Sequence, residues 1–261
     1  MRFARHYNML YKAARTVGIF VLILTVVPLV VLIDQGLPSF DSVLSLPGAT
    51  RALWTTLSSG LLALGLCFIL GVPAAYWLGN RHAHTRIKKL AAVLLISALL
   101  TPPLVLGLVL AFIMAPTTLT GSWLNTIDSA SNTFPALVLA ELYEALPYFV
   151  LTAWTAFATI PSQWEEEAWV LHKTPWQTFR FVLWPAIRPG LLTATWMAWA
   201  RIVGAFGSPV VVAYHPTALP VQIWITIEES GLPQALALAL WLVLIGLPLP
   251  AWLTWKKGGL M

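Results

Sequence analysis

Long apolar runs separated by short polar segments dominate the chain. Six of these runs can cross a membrane as helices, and they lie at 16–34, 53–79, 90–115, 134–160, 191–213 and 233–255. A helix needs about 20 apolar residues to cross roughly 30 Å of hydrocarbon. Several runs contain proline or glycine, which membrane helices tolerate when neighbouring groups satisfy the freed backbone. The pattern predicts an all-α, polytopic membrane protein with about six transmembrane helices.

The composition agrees with a lipid environment. The chain is 59% apolar and only 10% charged, with fourteen tryptophans, whereas a soluble domain is about 25% charged. The net charge of +5 comes from short basic clusters between apolar runs, a distribution that argues against a nucleic-acid partner. The lone Cys67 lies inside an apolar run, so it offers neither a disulfide framework nor a metal-ligand set. We therefore expect no metal and no cofactor on this chain.

The distribution of lysine and arginine predicts the orientation. The apolar stretch 17–33 is longer than a signal-peptide core and no A-x-A site follows it, so we expect a retained first span. Basic residues mark cytoplasmic segments, and both termini are predicted to be cytoplasmic, with tails at 1–15 and 256–261 around a membrane domain at 16–255. Thirteen of the fifteen basic residues fall on that side: Arg2, Arg5, Lys12, Arg15, Arg81, Arg86, Lys88, Lys89, Lys173, Arg180, Arg188, Lys256 and Lys257.

Residues 161–190, between the fourth and fifth predicted spans, form a charged cytoplasmic loop. Ser162 and Glu165 have the spacing of a capping box, which predicts a first helix ending near His172. Aromatic residues interleave with the charges, and such rings suit either a membrane interface or a protein docking surface. They are Trp164, Trp169, Trp176, Phe179, Phe181 and Trp184.

A second short helix is predicted directly after the first. Thr174 can serve as its N-cap, Pro175 as its first helical residue and Gln177 as the second half of a capping box. Pro185 and Pro189 are predicted to end this helix and to leave an extended turn back to the membrane. The loop should therefore contain two short helices joined at a sharp corner.

The 161–190 loop resembles the EAA loop of binding-protein-dependent ABC transporter permeases. In that family an E-A-A triplet is followed by a glycine, a short aromatic-basic helix, L-P and then R-P-G. Glu166, Glu167 and Ala168 occupy the triplet here, with a glutamate at its second position, and His172 replaces the glycine. A non-glycine residue at positive φ costs on the order of 1–2 kcal/mol. The downstream matches are Thr174, Pro175, Trp176, Phe179, Pro185, Arg188, Pro189 and Gly190.

The resemblance extends over nearly the whole chain and implies a type I ABC importer-like permease. The segments that carry it are "RALWTTLSSGLLALGLCFILGVPAAYWLGNR", "TPPLVLGLVL" and "RIVGAFGSPVVVAYHPTALPVQIW". The last resembles the fifth span, which usually reads R-x-x-G-E-F-G, although Ala205 stands here in place of the glutamate. This segment is most similar to molybdate, tungstate and sulfate permeases. Ferric iron, thiamine, polyamine and phosphonate remain open as substrates.

The resemblance also implies the partners. They are a cytoplasmic ABC ATPase dimer, a second permease copy (the same chain or a different one) and an external substrate-binding protein, assembled at the cell inner membrane. The sequence contains no G-x-x-x-x-G-K-[ST] phosphate loop, so ATP and Mg²⁺ are expected on the partner ATPase, and the chain is expected to be a transport subunit rather than an enzyme. By the resemblance, the residues that would couple to the ATPase are Glu165, Glu166, Glu167, Ala168, Trp169, His172, Thr174, Pro175, Trp176, Phe179 and Pro185.

Three ionisable residues lie within predicted spans, where charge is costly and marks a bundle interior or a cavity. Glu141 and Glu144 are three residues apart and share a helix face, while Arg201 lies in the fifth span. Arg201 can attract an anionic substrate or belong to a gate, or it can pair with one glutamate and hold two spans together. We favour the ion pair. Ala205 stands where a glutamate would be expected, so Arg201 needs a carboxylate from elsewhere in the chain.

Proline and glycine interrupt the third and fifth spans. Unwound backbone at membrane depth is tolerated only against protein or water, so these breaks indicate the translocation path. Close packing through small residues is the other explanation, and the two are compatible. An ion-coupled secondary transporter is the alternative class, and it would typically show inverted repeats. His82 and His84 alone are a weak metal signal. The predicted path or gate residues are Thr101, Pro102, Pro103, Gly107, Glu141, Glu144, Arg201, Gly204 and Gly207.

Overall fold

The computed structural model describes residues 2–80, 84–126 and 130–247, with side chains from Tyr11 onward. All regular structure in these ranges is helical, as the sequence predicts. Short 3₁₀ turns occupy Leu37–Ser39 and Val43–Ser45, and a π-helical turn occupies Phe179–Leu183. The helices are α1 (Arg2–Gly36), α2 (Ala49–Gly79), α3 (Thr85–Leu100), α4 (Pro103–Ile113), α5 (Leu119–Thr126), α6 (Phe134–Ala158), α7 (Ser162–Val170), α8 (Pro175–Thr178), α9 (Trp184–Val203), α10 (Gly207–Val212), α11 (Leu219–Ser230) and α12 (Leu232–Gly246).

Helix length and hydropathy identify the spans. Within the described ranges, α1, α2 and α6 are each long and apolar enough to cross a membrane. The pair α3 and α4 forms a fourth span if it is counted as one, although its axis bends by 103° at the break. These elements match the first four predicted spans. The fifth predicted span falls on α9 and α10, and the sixth begins with α12 and continues beyond the described residues.

Contacts divide the chain into two compact units. The first contains the chain up to Leu46 together with Ile223–Trp241. Its α1 runs without a break from Arg2 through the basic tail and the first predicted span, and its apolar side chains are exposed, as expected of a helix surrounded by lipid. Phe40 stacks on Trp241 with ring centroids 4.7 Å apart, and the indole Nε1 of Trp241 donates to the Phe40 carbonyl at 3.3 Å.

The second unit, Pro47–Gln222 with the segment from Leu242, has a core built by α2, α6 and α9. Small residues recur every four positions along α2 and are buried, and this spacing allows close approach of membrane helices. They are Ala63, Cys67, Gly71 and Ala75. On α6, Phe149 is fully buried in the same core. The large residues of α2, such as Leu61 and Ile69, point outward, so the packing stripe is the small one.

The prediction that Pro185 and Pro189 end the second loop helix is wrong. The chain continues from α8 through the π-helical turn into α9, with Pro185 in the first turn of α9 and Pro189 inside it. In the π-helical turn the Trp184 amide donates to the Phe179 carbonyl five residues back. The wider turn removes the usual i−4 pairing directly before Pro185, so its missing N–H and its ring are accommodated. No extended turn separates the 161–190 loop from the membrane helix.

Candidate coupling loop and buried carboxylate cluster

The start of α7 differs from the predicted capping box. Pro161 is the N-cap residue, with φ −62° and ψ 133°, and no side chain caps the helix. The extended ψ of Pro161 turns the chain one residue early, so Ser162 becomes the first helical residue and its hydroxyl is not at the capping position. Glu165 lies in the first turn of α7, where the positive end of the helix dipole favours a carboxylate.

The surface of α7 combines acidic and apolar groups. Of the triplet residues, Ala168 is buried, whereas Glu166 and Glu167 are exposed. Val170 and Leu171, at the end of the helix, are 77% and 69% exposed. Exposed apolar side chains clustered on a short polar helix are typical of a protein docking surface. A cavity of about 340 Å³ adjoins this helix and is lined by Glu165, Glu166, Trp169, Lys88, Tyr76 and Phe157, among others.

The corner after α7 is a Schellman motif with a histidine in the left-handed position. His172 has φ 55°. The Lys173 amide donates to the Ala168 carbonyl at 3.0 Å, and the His172 amide donates to the Trp169 carbonyl at 2.9 Å. These two bonds satisfy carbonyls that a helix end otherwise leaves unpaired. His172 therefore forms the corner in the conformation that glycine adopts most easily.

The local stability of the corner should be highest with glycine at position 172, intermediate with the native histidine and lowest with valine. His172→Gly relieves the left-handed strain, partly offset by the greater freedom of glycine in the unfolded chain, so a gain of up to about 1 kcal/mol is expected. His172→Val places a β-branched residue at positive φ and should lose a similar amount. Hydrogen exchange of peptides covering 168–174 measures this order through the Lys173 amide. Equal protection in all three proteins would contradict it.

The second loop helix begins as predicted. Thr174 is the N-cap of α8, its hydroxyl accepts from the Gln177 amide at 3.3 Å, and the Gln177 side chain accepts from the Thr174 amide at 3.0 Å. Pro175 occupies the first turn, as expected. Trp176 is exposed and stacks on Phe179, with ring centroids 5.9 Å apart.

Aromatic contacts connect the 161–190 loop to the membrane helices. The Phe179 ring meets the Tyr76 ring of α2 edge-on at 5.7 Å between centroids. Tyr76 in turn lies 5.5 Å from Phe157 of α6, and Phe179 lies 6.1 Å from Trp184 at the start of α9. Each such pair adds about 0.5–1.5 kcal/mol beyond its buried area. Phe179 therefore contacts α2 and α9 directly, and it is linked to α6 through Tyr76.

Glu144 is the centre of a buried polar cluster that joins three elements. Its Oε2 lies 3.2 Å from Nη2 of Arg201 on α9, with the two side chains 2% and 32% exposed. Its Oε1 accepts from the hydroxyl of Ser208 on α10 at 2.5 Å and from the Ser208 amide at 3.4 Å. The Arg201 guanidinium also lies 5.7 Å from the centre of the Tyr148 ring. The predicted ion pair is present, and Glu144 is its acidic partner.

Glu141 makes a separate contact on the same helix. It is 1% exposed, and its Oε1 accepts from the hydroxyl of Ser59 on α2 at 2.8 Å. The two glutamates therefore face different neighbours, Glu141 towards α2 and Glu144 towards α9 and α10. Sequence reasoning missed Ser59, Ser208 and Tyr148. Only Tyr148 carried a signal, because it lies four residues after Glu144 on the same helical face.

The predicted breaks of the third and fifth spans meet each other. Thr101 and Pro102 separate α3 from α4, whose first residue is Pro103, and Gly204 ends α9 before α10 begins at Gly207. A Cβ on Gly107 would lie 2.9 Å from Ser208 Cα, and one on Gly207 would lie 2.7 Å from Pro103 Cβ. Both glycines therefore allow α4 and α10 to pack backbone against backbone, directly beside the Glu144 cluster.

Known proteins that resemble this chain are membrane components of transport systems. The family model described as "Binding-protein-dependent transport system inner membrane component" matches residues 71–255. A probable molybdenum ABC transporter permease protein of Haloferax volcanii is 35% identical over 206 residues, which cover 79% of this chain and 72% of that protein. The molybdenum transport system permease protein ModB of Azotobacter vinelandii is 31% identical, covering 70% and 83%. A probable sulfate transport system permease protein cysT of Nephroselmis olivacea is 30% identical, covering 85% and 79%.

Solved structures share the fold at lower identity. A bacterial alginate ABC transporter, crystallised with an alginate pentasaccharide-bound periplasmic protein, superposes with a TM-score of 0.73 at 15% identity, covering 96% of this chain and 94% of that one. The inward-facing MetNI methionine ABC transporter superposes with a TM-score of 0.60 at 20% identity, covering 76% and 89%. At these identities the comparison concerns the arrangement of helices.

Proposed function

The chain belongs to the family of binding-protein-dependent transport system inner membrane components, and from that premise we propose that it forms the translocation path of an ATP-driven oxyanion importer. It is a polytopic inner-membrane permease subunit. The proposed substrates are molybdate, tungstate or sulfate, because three relatives with 30–35% identity are named as molybdenum or sulfate permeases. The observation that carries the coupling proposal is the 161–190 loop. Its helix α7 presents exposed acidic and apolar side chains, and its Phe179 contacts Tyr76 of α2 and Trp184 of α9, with Tyr76 next to Phe157 of α6.

The energy source is proposed to be a separate ATPase. In the proposed assembly, α7 docks in a groove of that ATPase, with Glu166 and Glu167 facing basic residues and Trp164 and Trp169 seating the helix. ATP and Mg²⁺ would bind the ATPase, and this chain would bind no cofactor. A second copy of the chain would supply the other half of the path and a second loop. An external binding protein would deliver the oxyanion.

The translocation path is proposed to follow the place where the break in the third span meets the break in the fifth span. There α4 and α10 approach closely through Gly107 and Gly207, and the residues Pro102 and Gly204 are exposed. The ion pair between Arg201 and Glu144 lies beside these breaks and holds α9 and α10 to α6. Small movements of the three helices would open or close the space next to the pair.

Reconstitution tests the proposed function. The chain, its ATPase and its external binding protein are reconstituted in proteoliposomes, and uptake is measured for molybdate, tungstate and sulfate. Uptake of an oxyanion is expected to require ATP and to stop on addition of vanadate, while collapse of ion gradients leaves it unchanged. Deletion of 163–176 is expected to abolish uptake, because it removes the docking helix.

Two outcomes would contradict parts of this proposal separately. Uptake of thiamine, ferric iron, a polyamine or a phosphonate in place of the oxyanions would reject the substrate class and leave the permease assignment. Uptake that depends on an ion gradient and ignores vanadate would instead support the secondary-transporter alternative and reject the ATPase coupling.

A further inference from the structure

A shallow cavity lies at the point where the 161–190 loop passes into α9. Its volume is about 570 Å³, and its lining combines two arginines with aromatic rings and a proline: Trp176, Arg180, Phe181, Trp184, Pro185 and Arg188. We propose that this cavity binds the phosphodiester headgroup of an anionic glycerophospholipid from the cytoplasmic leaflet. The two guanidinium groups hold the phosphate, and the aromatic rings contact the glycerol and the first carbons of the acyl chains.

The charge of the cavity favours an anion. Arg180 and Arg188 are both exposed, and among the described residues neither lies within ion-pair distance of a carboxylate. Arg180 instead lies over the Phe181 ring at 5.9 Å. Guanidinium groups bind phosphate oxygens with paired, geometrically matched N–H donors. The cavity therefore presents two positive groups whose charge no acidic side chain of the described chain neutralises.

The position of the cavity favours a lipid over a soluble partner. Arg188 is in the second turn of α9, the helix that continues into the fifth predicted span, and Pro185 lies in the turn before it. Trp176, Phe181 and Trp184 line the cavity together with the two arginines, and aromatic rings beside basic residues are enriched at headgroup depth. The cavity shares Trp176 and Pro185 with the residues predicted to couple to the ATPase, whereas Trp164 and Trp169, the rings proposed to seat α7 in the ATPase, do not line it. An anionic leaflet also attracts juxtamembrane cations electrostatically.

Native mass spectrometry of the full chain in detergent tests the proposal. The protein is titrated with phosphatidylglycerol and, separately, with phosphatidylcholine of the same acyl chains. We expect one phosphatidylglycerol to be retained in preference to phosphatidylcholine. The Arg180→Gln/Arg188→Gln variant should lose roughly thirtyfold in this preference, since each juxtamembrane cation contributes about fivefold to affinity for anionic lipid. An excess of inorganic phosphate should not displace the lipid, because phosphate has no acyl chains to contact the rings.

Matched variants separate lipid binding from folding and from total charge. Arg86→Gln/Lys89→Gln removes two exposed cations of α3 and should keep the preference. Arg180→Lys/Arg188→Lys keeps both charges and should retain most of the preference for phosphatidylglycerol. This variant keeps the proposal testable if the glutamine variant fails to fold. Equal retention of both lipids by the unmodified chain, an unchanged preference in the glutamine variant, or release of the lipid by inorganic phosphate would each overturn the proposal. So would displacement of the lipid by the ATPase subunit, because the cavity would then belong to the protein interface.

Discussion

Replacing Arg201 with glutamine is expected to lower the free energy of unfolding of the purified chain by about 3 kcal/mol. The substitution leaves the Glu144 carboxylate, 2% exposed, without its cation, and removing one partner of a buried pair typically costs about 3–5 kcal/mol. We expect the lower end of this range, because the Arg201 side chain is partly accessible. Titration with sodium dodecyl sulfate in mixed micelles, followed by circular dichroism, measures the change.

Glu144→Gln should cost less than Arg201→Gln. The amide oxygen of glutamine can still accept from Ser208, and Arg201, which is 32% exposed, can turn towards water. The exchange Glu144→Arg/Arg201→Glu should recover part of the stability lost by Arg201→Gln, because the pair is restored while the Ser208 amide loses its acceptor. If Arg201→Gln is instead as stable as the unmodified chain and only slows uptake, Arg201 acts on the substrate and does not hold the helices together.

Replacing Trp169 with alanine is expected to weaken binding of the partner ATPase by at least about thirtyfold, with a matching loss of uptake. Trp169 is 52% exposed at the end of α7, and truncating a tryptophan at the centre of a docking surface commonly costs about 2 kcal/mol or more. The fold of the chain should be retained, because half of this side chain is already accessible. The dissociation constant of the purified chain for the ATPase measures the effect.

Trp77→Ala is the matched control. Trp77 is also an exposed tryptophan, at 53%, but it lies on α2 outside the 161–190 loop. This variant should bind the ATPase as the unmodified chain does. Equal loss in both variants would mean that general loss of aromatic surface weakens assembly, and an unchanged affinity in both would place the docking surface elsewhere.

Sequence rules that span only a few residues predict the local structure correctly where the interacting groups are close in the chain. The capping box at Thr174 and Gln177 forms as predicted because both partners lie within one turn. The corner at His172 adopts the left-handed conformation that glycine adopts most easily, and two backbone hydrogen bonds hold it there although the residue is a histidine. The same local rules fail at Ser162, where the preceding Pro161 turns the chain first.

The prolines of the fifth span show where local rules are insufficient. Pro185 predicts a helix end when it is considered alone. In the structure, a π-helical turn precedes it, and the wider hydrogen-bond pattern of that turn accommodates the N–H that proline lacks. Leu183 and Ile187 are buried, and their packing keeps the chain helical. The second loop helix, from Pro175 onward, and the membrane helix α9 thus form one continuous element. That continuity strengthens the mechanical link which the proposed coupling requires.

The sequence by itself determined the membrane environment and the helical class, and it predicts the cytoplasmic placement of the basic segments and of the 161–190 loop. These properties follow from composition and from spacings of a few residues. Only the tertiary structure decided that Glu144 and not Glu141 pairs with Arg201, and that Ser59 and Ser208 complete the two carboxylate contacts. It also decided that α4 and α10 pack closely at Gly107 and Gly207. Such partners are tens of residues apart in the chain, and they are brought together by the packing of whole helices.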